Sequence, residues 1–312
     1  MKVIPEQVAI VTGASAGIGA ATAAALASRG VHVALAARRA ERLETLAASL
    51  QERWSVRTLV LPTDMAQRSQ IERMVQATLA HFGRIDILIN NAGLGLQGDV
   101  TQLDEARLRY LFDVNVFGPL FAIQSVAPIM VEQGGGVIVN VSSILGKIAV
   151  PSLGMVGASA GYTASKFALG AFSTAARMEL AAQKVHVITV LPGITATEFD
   201  DSFLLSQTAR ARPARRRVGL LGRTPATRVG ERIVEAIERE EREVYITGKD
   251  RLAVLGATAL PGLWEWGLMR LRWWRMADKA RWLRTGALVF GAAAVGIALA
   301  MGVAKRIARR LA

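Results

Sequence analysis

The residues best suited to carry out a reaction are a tyrosine and a lysine four positions apart, Tyr162 and Lys166. On a helix, this spacing places both side chains on one face. A tyrosine with its ordinary pKa of about 10 exchanges protons poorly at neutral pH, and a neighbouring ammonium stabilises its phenolate. A surface pair without function is the alternative. Ser142 and Ser143, which end an apolar run, and Asn115, in an earlier apolar helix, favour a proton-transferring site.

A glycine cluster near the start of the chain suggests what this site would act with. Residues 11–19 read VTGASAGIG and follow a short apolar run. Glycines between a first strand and a first helix let the backbone approach a pyrophosphate, which the N-terminus of the helix stabilises. The spacing of Gly13, Gly17 and Gly19 is wider than the common G-x-G-x-x-G. A turn that only packs a helix on a strand is the alternative, and the strand–helix context favours the phosphate.

The second apolar run ends in two arginines, which bears on the choice of cofactor. Many NAD-binding folds place an acid here against the ribose 2′-hydroxyl, whereas a 2′-phosphate requires cations. Here Arg38 and Arg39 come first, and no acid precedes Glu41. We expect Arg38, with Arg39 and Ser15, to bind the phosphate through charge-assisted hydrogen bonds. A solvated start of a helix is the alternative; the pattern predicts NADP(H) in preference to NAD(H).

Apolar runs of strand length alternate with segments of helical composition. The fold that this order predicts would position the candidate site residues. Near-continuous apolar strands indicate burial on both faces of a sheet. Regular alternation predicts an α/β fold, a three-layer, doubly wound Rossmann fold with a parallel sheet. A last amphipathic helix and strand in GERIVEAIEREEREVYITG close the domain at residue 250. The strand-like runs are VAIVTG, VHVALAA (31–37), VRTLVLP (56–62), IDILINNAG (85–93), GVIVNVSS (136–143) and KVHVITVLPG (184–193).

Composition excludes several other classes of site. Among 312 residues there is no cysteine, so disulfides and thiolate chemistry are excluded. His32, His81 and His186 lack the spacing of metal ligands, and we expect no metal site. The net charge of +13 is concentrated in the later part of the chain. We expect no nucleic-acid partner, because no recognition motif accompanies this charge.

Beyond residue 250 the sequence predicts a C-terminal helical extension that contacts a membrane. Residues 251–284 mix Trp, Leu and Arg, as interfacial amphipathic helices do. Residues 286–304, within a final segment 285–312, form a run of nineteen residues without a charge, flanked by basic residues. Spanning a bilayer takes about 20 such residues. A buried or oligomerising helix is the alternative. Because the N-terminus lacks the architecture of a secretory signal, we expect a cytoplasmic catalytic domain.

Seven stretches resemble the short-chain dehydrogenase/reductase family, in family order and over about residues 5–250. Together they imply a carbonyl reductase or alcohol dehydrogenase, often a dimer or tetramer, and we expect a homo-oligomer. In the family the residue matching Ser143 lies closer to the tyrosine, so PSLGMVGASAG predicts a longer loop here. The stretches are TGASAGIG (12–19), Asp64, NNAG (90–93), Asn115 in DVNVFG, VSS (141–143), YTASK (162–166) and PGITAT (192–197).

The resemblance also implies a role for each matching residue. Tyr162 would be the general acid/base, and Lys166 would lower its pKa and bind the nicotinamide ribose. Ser143 would hydrogen-bond the substrate oxygen, and Asn115 would hold a water that links Lys166 to solvent. The implied cofactor-binding residues are Gly13, Ser15, Gly17, Ile18 and Gly19 at the pyrophosphate, Asp64 and Met65 at the adenine, Asn91, Ala92 and Gly93 after the fourth strand, and Pro192, Gly193, Thr195 and Thr197 at the nicotinamide.

The substrate is the part of the function that the residues leave most open. Phe199, Phe203, Leu204 and Leu205 begin a variable segment, and they predict a mobile lid over a lipophilic alcohol or ketone, such as a sterol, retinoid or acyl derivative. A solvated loop is the alternative for this segment. A dinucleotide-binding, membrane-associated sensor or scaffold without turnover is the alternative function.

Overall fold

The computed structural model describes residues 3–151, 160–199, 203–205 and 223–277. Several sequence features lie outside these residues: the insertion at 152–159, most of the segment that follows Phe199, and the apolar run 286–304. The proposed long loop, lid and membrane anchor therefore stay predictions.

Strands and helices alternate along the chain as the sequence predicts. The strands are β1 (Val8–Thr12), β2 (His32–Ala37), β3 (Thr58–Pro62), β4 (Ile87–Asn90), β5 (Gly95–Gln97), β6 (Gly136–Val141), β7 (Val185–Leu191), β8 (Thr195–Ala196), β9 (Phe203–Leu205), β10 (Thr224–Pro225) and β11 (Glu243–Tyr245). The helices are α1 (Gly17–Ala27), α2 (Ala40–Trp54), α3 (Arg68–Phe82), α4 (Glu105–Phe112), α5 (Gly118–Glu132), α6 (Ala160–Leu180), α7 (Ala226–Glu238), α8 (Gly248–Ala259) and α9 (Pro261–Ala277).

Seven of these strands form one parallel sheet, in the order β11-β7-β6-β4-β1-β2-β3. β1, β4 and β6 are buried along their whole length, which explains their near-continuous apolar sequences. The order reverses between β1 and β4, and open α/β sheets bind ligands at such a switch point. This arrangement confirms the predicted doubly wound Rossmann fold.

Two apolar clusters, one on each face of the sheet, form the core. One joins the sheet to α1, α2 and α7, and includes Leu26, Leu43 and Ile233. The other joins it to α3 and α5 and includes Met74 and Val126. The helices therefore cover both faces, and the domain has three layers.

The chain divides into two compact units, residues 1–250 and 251–312. In the described part of the second unit, α8 continues from Arg251 and α9 follows it, so the predicted C-terminal helices are present.

Among the described residues, one continuous helical stretch is long and apolar enough to cross a membrane, Glu105–Glu132. Its most apolar part is 56% buried within the fold, as expected of a core helix. Residues 248–259 and 261–271 pass the same test only as a pair, and they are bent by 108° where they meet. Neither observation supports the predicted anchor at 286–304.

Candidate active site

The site lies where the carboxyl ends of the central strands meet. Parallel pairing sets Asn90 of β4 beside Asn140 of β6, and Val141 beside Val190 of β7. The segments that follow these strands therefore emerge at one edge of the sheet, together with the turn after β1. Residues far apart in the sequence are collected there, and these are the residues that the motifs single out.

Tyr162 and Lys166 lie in the first turns of α6, as their spacing predicts. Both side chains are buried, with Tyr162 7% and Lys166 4% exposed. The Lys166 Nζ atom donates to the Val141 carbonyl at 2.9 Å and lies 5.8 Å from the centre of the Tyr162 ring. The tyrosine hydroxyl is hydrogen-bonded to the side chain of Ser143. The three functional groups are therefore buried close to one another.

The two serines after β6 face different partners. Ser143 begins a 3₁₀ turn, where its Oγ accepts from the Leu145 amide at 3.1 Å while it contacts Tyr162. Ser142 donates instead to the Lys166 carbonyl at 3.1 Å. Ser143 is therefore the serine whose hydroxyl can meet a substrate oxygen beside Tyr162, and Ser142 holds the backbone of α6 against β6.

Burial shifts the pKa values of both members of the pair. It raises the pKa of Tyr162 to about 12, although the hydrogen bond from Ser143 partly opposes this change. It lowers the pKa of Lys166 to about 8, because the interior disfavours the ammonium form. The resemblance implies a tyrosine pKa lowered by the lysine, whereas here the pKa of Tyr162 lies above its ordinary value. Desolvation is the larger cause of the shift of Tyr162, and the Lys166 Nζ atom is directed at the Val141 carbonyl.

Asn115 lies in a π-helical turn, Asp113–Phe117, between α4 and α5. It is fully buried, and its amide group exchanges two hydrogen bonds with the backbone of Leu94, at 2.8 and 3.0 Å. It also donates to Ser165 at 3.0 Å. A Cβ added to Gly93 would lie 3.4 Å from the Asn115 Oδ1 atom and 3.6 Å from Lys166 Nζ. Gly93 therefore keeps a small space open between Asn115 and Lys166.

The glycine turn after β1 has features that suit both alternatives left open by its sequence, packing and the binding of an anion. Gly13 and Gly17 have φ values of +66° and +58°, which side chains rarely adopt. A Cβ on Gly19 would lie 2.4 Å from the Gly13 carbonyl, so that glycine is required for packing. The N-terminus of α1 has no side-chain cap and no acid in its first turn, so its amide groups suit an anion.

Thr12, which the motif analysis did not single out, joins this turn to β4. Its Oγ1 atom accepts from the amides of Asn91 and Ala92, at 3.0 and 3.1 Å. Asn91 in turn donates to the Thr12 carbonyl at 3.0 Å. The Asn91 amide group therefore acts within the protein, holding the two strand ends at a fixed separation. The position of Thr12 inside TGASAGIG is the sequence signal that could have identified it.

A cluster of arginines lies beside the turn, at the start of α2. Arg39 donates to the Ser15 Oγ atom from Nε at 3.2 Å and from Nη2 at 2.9 Å. Arg38 donates to the Tyr110 hydroxyl at 3.0 Å. Glu198 accepts from Arg39 and from Arg42, and neither Glu198 nor Arg42 was expected from the sequence. Arg39 and Ser15 are brought together as predicted, whereas Arg38 is turned towards α4.

The remaining predicted positions differ in their surroundings. Asp64 forms a turn in which its Oδ1 atom accepts from the Ala66 amide at 3.0 Å, and the Met65 side chain is buried in the core. The side chain of Ile18 packs against the other core cluster. Met65 and Ile18 therefore contribute mainly to packing.

The segment after β7 approaches the glycine turn. Pro192 is buried, and a Cβ on Gly193 would collide with the Asp250 carboxylate. Thr195 donates to the Gly193 carbonyl at 3.3 Å, and a Cβ on Gly17 would lie 3.0 Å from the Thr197 side chain. The predicted nicotinamide-side residues therefore lie beside the predicted pyrophosphate turn.

Metal chemistry receives no support from the part of the chain that the structure describes. No group of three or more His, Asp and Glu side chains there could hold a metal ion.

A family model described as short chain dehydrogenase matches residues 7–207. The chain belongs to the short-chain dehydrogenase family. One relative is the Dehydrogenase/reductase SDR family protein 7-like of Drosophila melanogaster, 31% identical over 272 residues, which cover 84% of this chain and 79% of that protein. Another is the glycine betaine reductase ATRR of Emericella nidulans, 42% identical over 194 residues. That match covers 62% of this chain and 15% of the relative, so the chain spans a small part of it.

Solved structures of other short-chain dehydrogenases have the same fold. A short chain dehydrogenase from Burkholderia cenocepacia in complex with NADP is 29% identical, with a TM-score of 0.70 over 86% of this chain and 99% of that one. One from Burkholderia phymatum in complex with NAD is 24% identical, with a TM-score of 0.73 over 84% and 96%. Both cofactors therefore occur among structures of this fold, and this chain is an oxidoreductase of that family.

Proposed function

We propose that this dehydrogenase transfers a hydride between NADP(H) and the carbonyl or secondary alcohol of a hydrophobic substrate, with Tyr162 as the general acid/base. The observation that carries the proposal is the joint burial of Ser143, Tyr162 and Lys166, with the tyrosine hydroxyl hydrogen-bonded to the serine. This set of groups provides a donor for a substrate oxygen and a proton beside it.

The protein supplies orientation and the proton. The bound cofactor supplies the hydride that reduces the carbonyl carbon. Ser143 donates a hydrogen bond to the carbonyl oxygen, and Tyr162 transfers its proton to that oxygen as negative charge develops there. Since the pKa of Tyr162 is about 12, the hydroxyl is protonated at neutral pH, which is the form that reduction consumes. Lys166 keeps a cation one helical turn away, where it stabilises the phenolate that remains.

The preference for NADP(H) is supported by the arginines after β2. Where an acid would select the 2′-hydroxyl of NAD(H), the chain places Arg38 and Arg39. Arg39 and Ser15 already lie in contact, and the serine hydroxyl, which accepts from the guanidinium, retains its own proton for a phosphate oxygen. The positive-φ turn and uncapped α1 fit the pyrophosphate of the same cofactor.

Apolar side chains around Tyr162 favour a hydrophobic substrate. The ring of Phe199 lies 5.7 Å from that of Tyr162. Next to Tyr162, a Cβ on Gly161 would lie within 3.6 Å of Leu96, Leu103 and Leu108. A hydrophobic substrate could pack against Phe199, whereas a polar one would find few hydrogen-bond partners among these apolar side chains.

The central test is turnover by Tyr162→Phe. We expect the variant to lose about 10²- to 10⁴-fold in NADPH-dependent reduction of a panel of lipophilic ketones and aldehydes, because it lacks the proton donor. Its affinity for NADPH, followed by quenching of tryptophan fluorescence, should stay within a factor of about two, since the ring is retained. Equal turnover by the variant, or a wild type that consumes NADH in preference to NADPH, would contradict the proposal.

A homo-oligomer is supported by exposed apolar side chains on α5 and α6. Val131 on α5 is 37% exposed, and Phe167, Phe172 and Met178 on α6 are 42%, 40% and 71% exposed. Paired copies of the chain would bury them. Light scattering of the wild type and of Phe172→Glu tests this: the variant should have a lower molar mass, and a wild-type monomer would contradict the proposal.

Membrane contact is supported by one face of α9. Leu263, Trp266 and Met269 are 56%, 53% and 60% exposed, and Arg270 lies over the Trp266 ring at 5.2 Å. Amphipathic helices with this mixture lie in the interface of anionic bilayers. The full chain should float with phosphatidylserine-containing vesicles, and Leu263→Glu with Trp266→Glu should weaken that binding. Vesicle binding that depends neither on these substitutions nor on the anionic lipid would contradict surface contact by α9.

A further inference from the structure

A carboxylate of the protein bridges the arginines beside the glycine turn. The Oε2 atom of Glu198 lies 3.4 Å from Arg39 Nη1 and 2.5 Å from Arg42 Nη1. Glu198 is more than 150 positions from each arginine in the sequence, so the contact depends on the tertiary fold. The side chains are about half exposed, at 51% for Glu198, 49% for Arg39 and 47% for Arg42. The bridge is therefore open to solvent.

The guanidinium that Glu198 contacts is also the one proposed to bind the 2′-phosphate. Arg39 uses Nε and Nη2 for Ser15 and Nη1 for Glu198. Arg42 and Arg39 also keep the pKa of the Glu198 carboxyl below its usual value, Arg42 having the larger effect. The carboxylate is therefore charged at neutral pH, and it is an internal anion at a site suited to an external one.

The segment that carries Glu198 contacts three parts of the candidate site. Thr197 lies against Gly17 of the glycine turn, and Phe199 contacts the ring of Tyr162. Thus Thr195–Phe199 touches the pyrophosphate turn, the arginine pair and the catalytic tyrosine within five residues. We call this segment the strap, and Glu198 is its attachment to α2.

We propose that Glu198 is a cofactor-selecting residue: its carboxylate occupies the Arg39–Arg42 pair, and the 2′-phosphate of NADP(H) displaces it. This inference rests on the proposed preference for NADP(H). A phosphate dianion carries more charge than a carboxylate and offers more acceptor oxygens, so it can replace Glu198 on both arginines. A cofactor without this phosphate leaves the bridge in place. Arg42, which no motif identified, then becomes a second phosphate-binding arginine.

The test measures binding of two nucleotide fragments that lack nicotinamide, 2′,5′-ADP and 5′-AMP, by calorimetry at constant ionic strength. For Glu198→Gln we expect 2′,5′-ADP to bind about two- to fivefold more tightly than to the wild type, the range for exposed ion pairs. Binding of 5′-AMP should be unchanged, because it does not compete for the arginine pair. Unchanged or weaker binding of 2′,5′-ADP, or an equal gain for both fragments, would overturn the proposal.

A matched control removes the same charge elsewhere. Glu72 forms an ion pair with Arg68 at 2.8 Å and is 49% exposed, close to the exposure of Glu198. Glu72→Gln should leave the binding of both fragments unchanged. If it tightens the binding of 2′,5′-ADP as much as Glu198→Gln does, the gain comes from net charge, and the proposal fails. Thermal melting of each variant confirms that it is folded.

A second variant tests the role of Arg42. Arg42→Gln should weaken the binding of 2′,5′-ADP. In the Arg42→Gln background, Glu198→Gln should change this binding less than it does in the wild type, because the two side chains share one interaction. Additive effects would show that the bridge does not compete with the phosphate. A wild type that binds 2′,5′-ADP no better than 5′-AMP would instead refute the proposed NADP(H) preference, an outcome distinct from failure of the Glu198 variant alone.

Discussion

The buried ammonium of Lys166 should give the cofactor-free protein a stability that rises with pH. Its pKa falls from 10.5 to about 8 on folding, which corresponds to roughly 3 kcal/mol of penalty on the charged form. Below pH 8 both the folded and unfolded states hold the proton, and the whole penalty applies. Between about 8 and 10.5 the unfolded state binds more protons, so the free energy of unfolding increases with pH.

The assay compares urea unfolding of the full chain with that of Lys166→Met, in the same mild detergent, from pH 7 to pH 10. The wild type should gain roughly 2 to 3 kcal/mol relative to the variant between pH 8 and pH 10. The range stops there because the raised pKa of Tyr162, about 12 against 10.0, makes stability fall at higher pH. Loss of the bond to Val141 shifts the two curves apart without changing this slope.

A surface lysine provides the control for the loss of one positive charge. Lys147 pairs with Glu243 and is partly exposed, and Lys147→Met should retain the pH dependence of the wild type. Parallel curves for the wild type and Lys166→Met would refute the reasoning, since they would mean that Lys166 keeps an ordinary pKa in the folded chain.

Two further predictions concern neighbours of the tyrosine and lysine. Ser143→Ala should lower kcat/KM for carbonyl reduction by about 10- to 100-fold, because a donor to the developing oxyanion is lost. Ser142→Ala should act mainly on stability, with a smaller loss of kcat/KM than Ser143→Ala. Steady-state kinetics and thermal melts compare the two variants, and equal losses of kcat/KM would contradict the assignment of Ser143 to the substrate oxygen. Gly93→Ala should fold normally, since its Cβ makes only ordinary contacts with Asn115 and Lys166, yet turnover should fall if water passes between those groups. Unchanged turnover would exclude that route for the proton.

Local chemistry made much of this protein predictable from its sequence. Apolar runs that alternate with helical segments are required by a parallel sheet covered on both faces, so β1 to β4, β6 and β7 follow from the pattern, whereas the short strand β5, which lies outside this sheet, does not. Tyr162 and Lys166 are four residues apart on α6, and helical geometry alone places them together. The glycine turn could also be predicted from its local sequence, because few other residues adopt the φ values of Gly13 and Gly17.

Tertiary structure decided the matters that depend on residues distant in the sequence. Whether Ser142 or Ser143 meets the tyrosine is set by how β6 packs against α6. The shifted pKa values of Tyr162 and Lys166 arise from burial, which a motif does not encode. The bridge from Glu198 to α2 joins positions more than 150 residues apart, and no local pattern predicts it. Sequence periodicity reports the neighbours along one helix or strand, whereas desolvation and charge pairing depend on which elements the fold brings into contact.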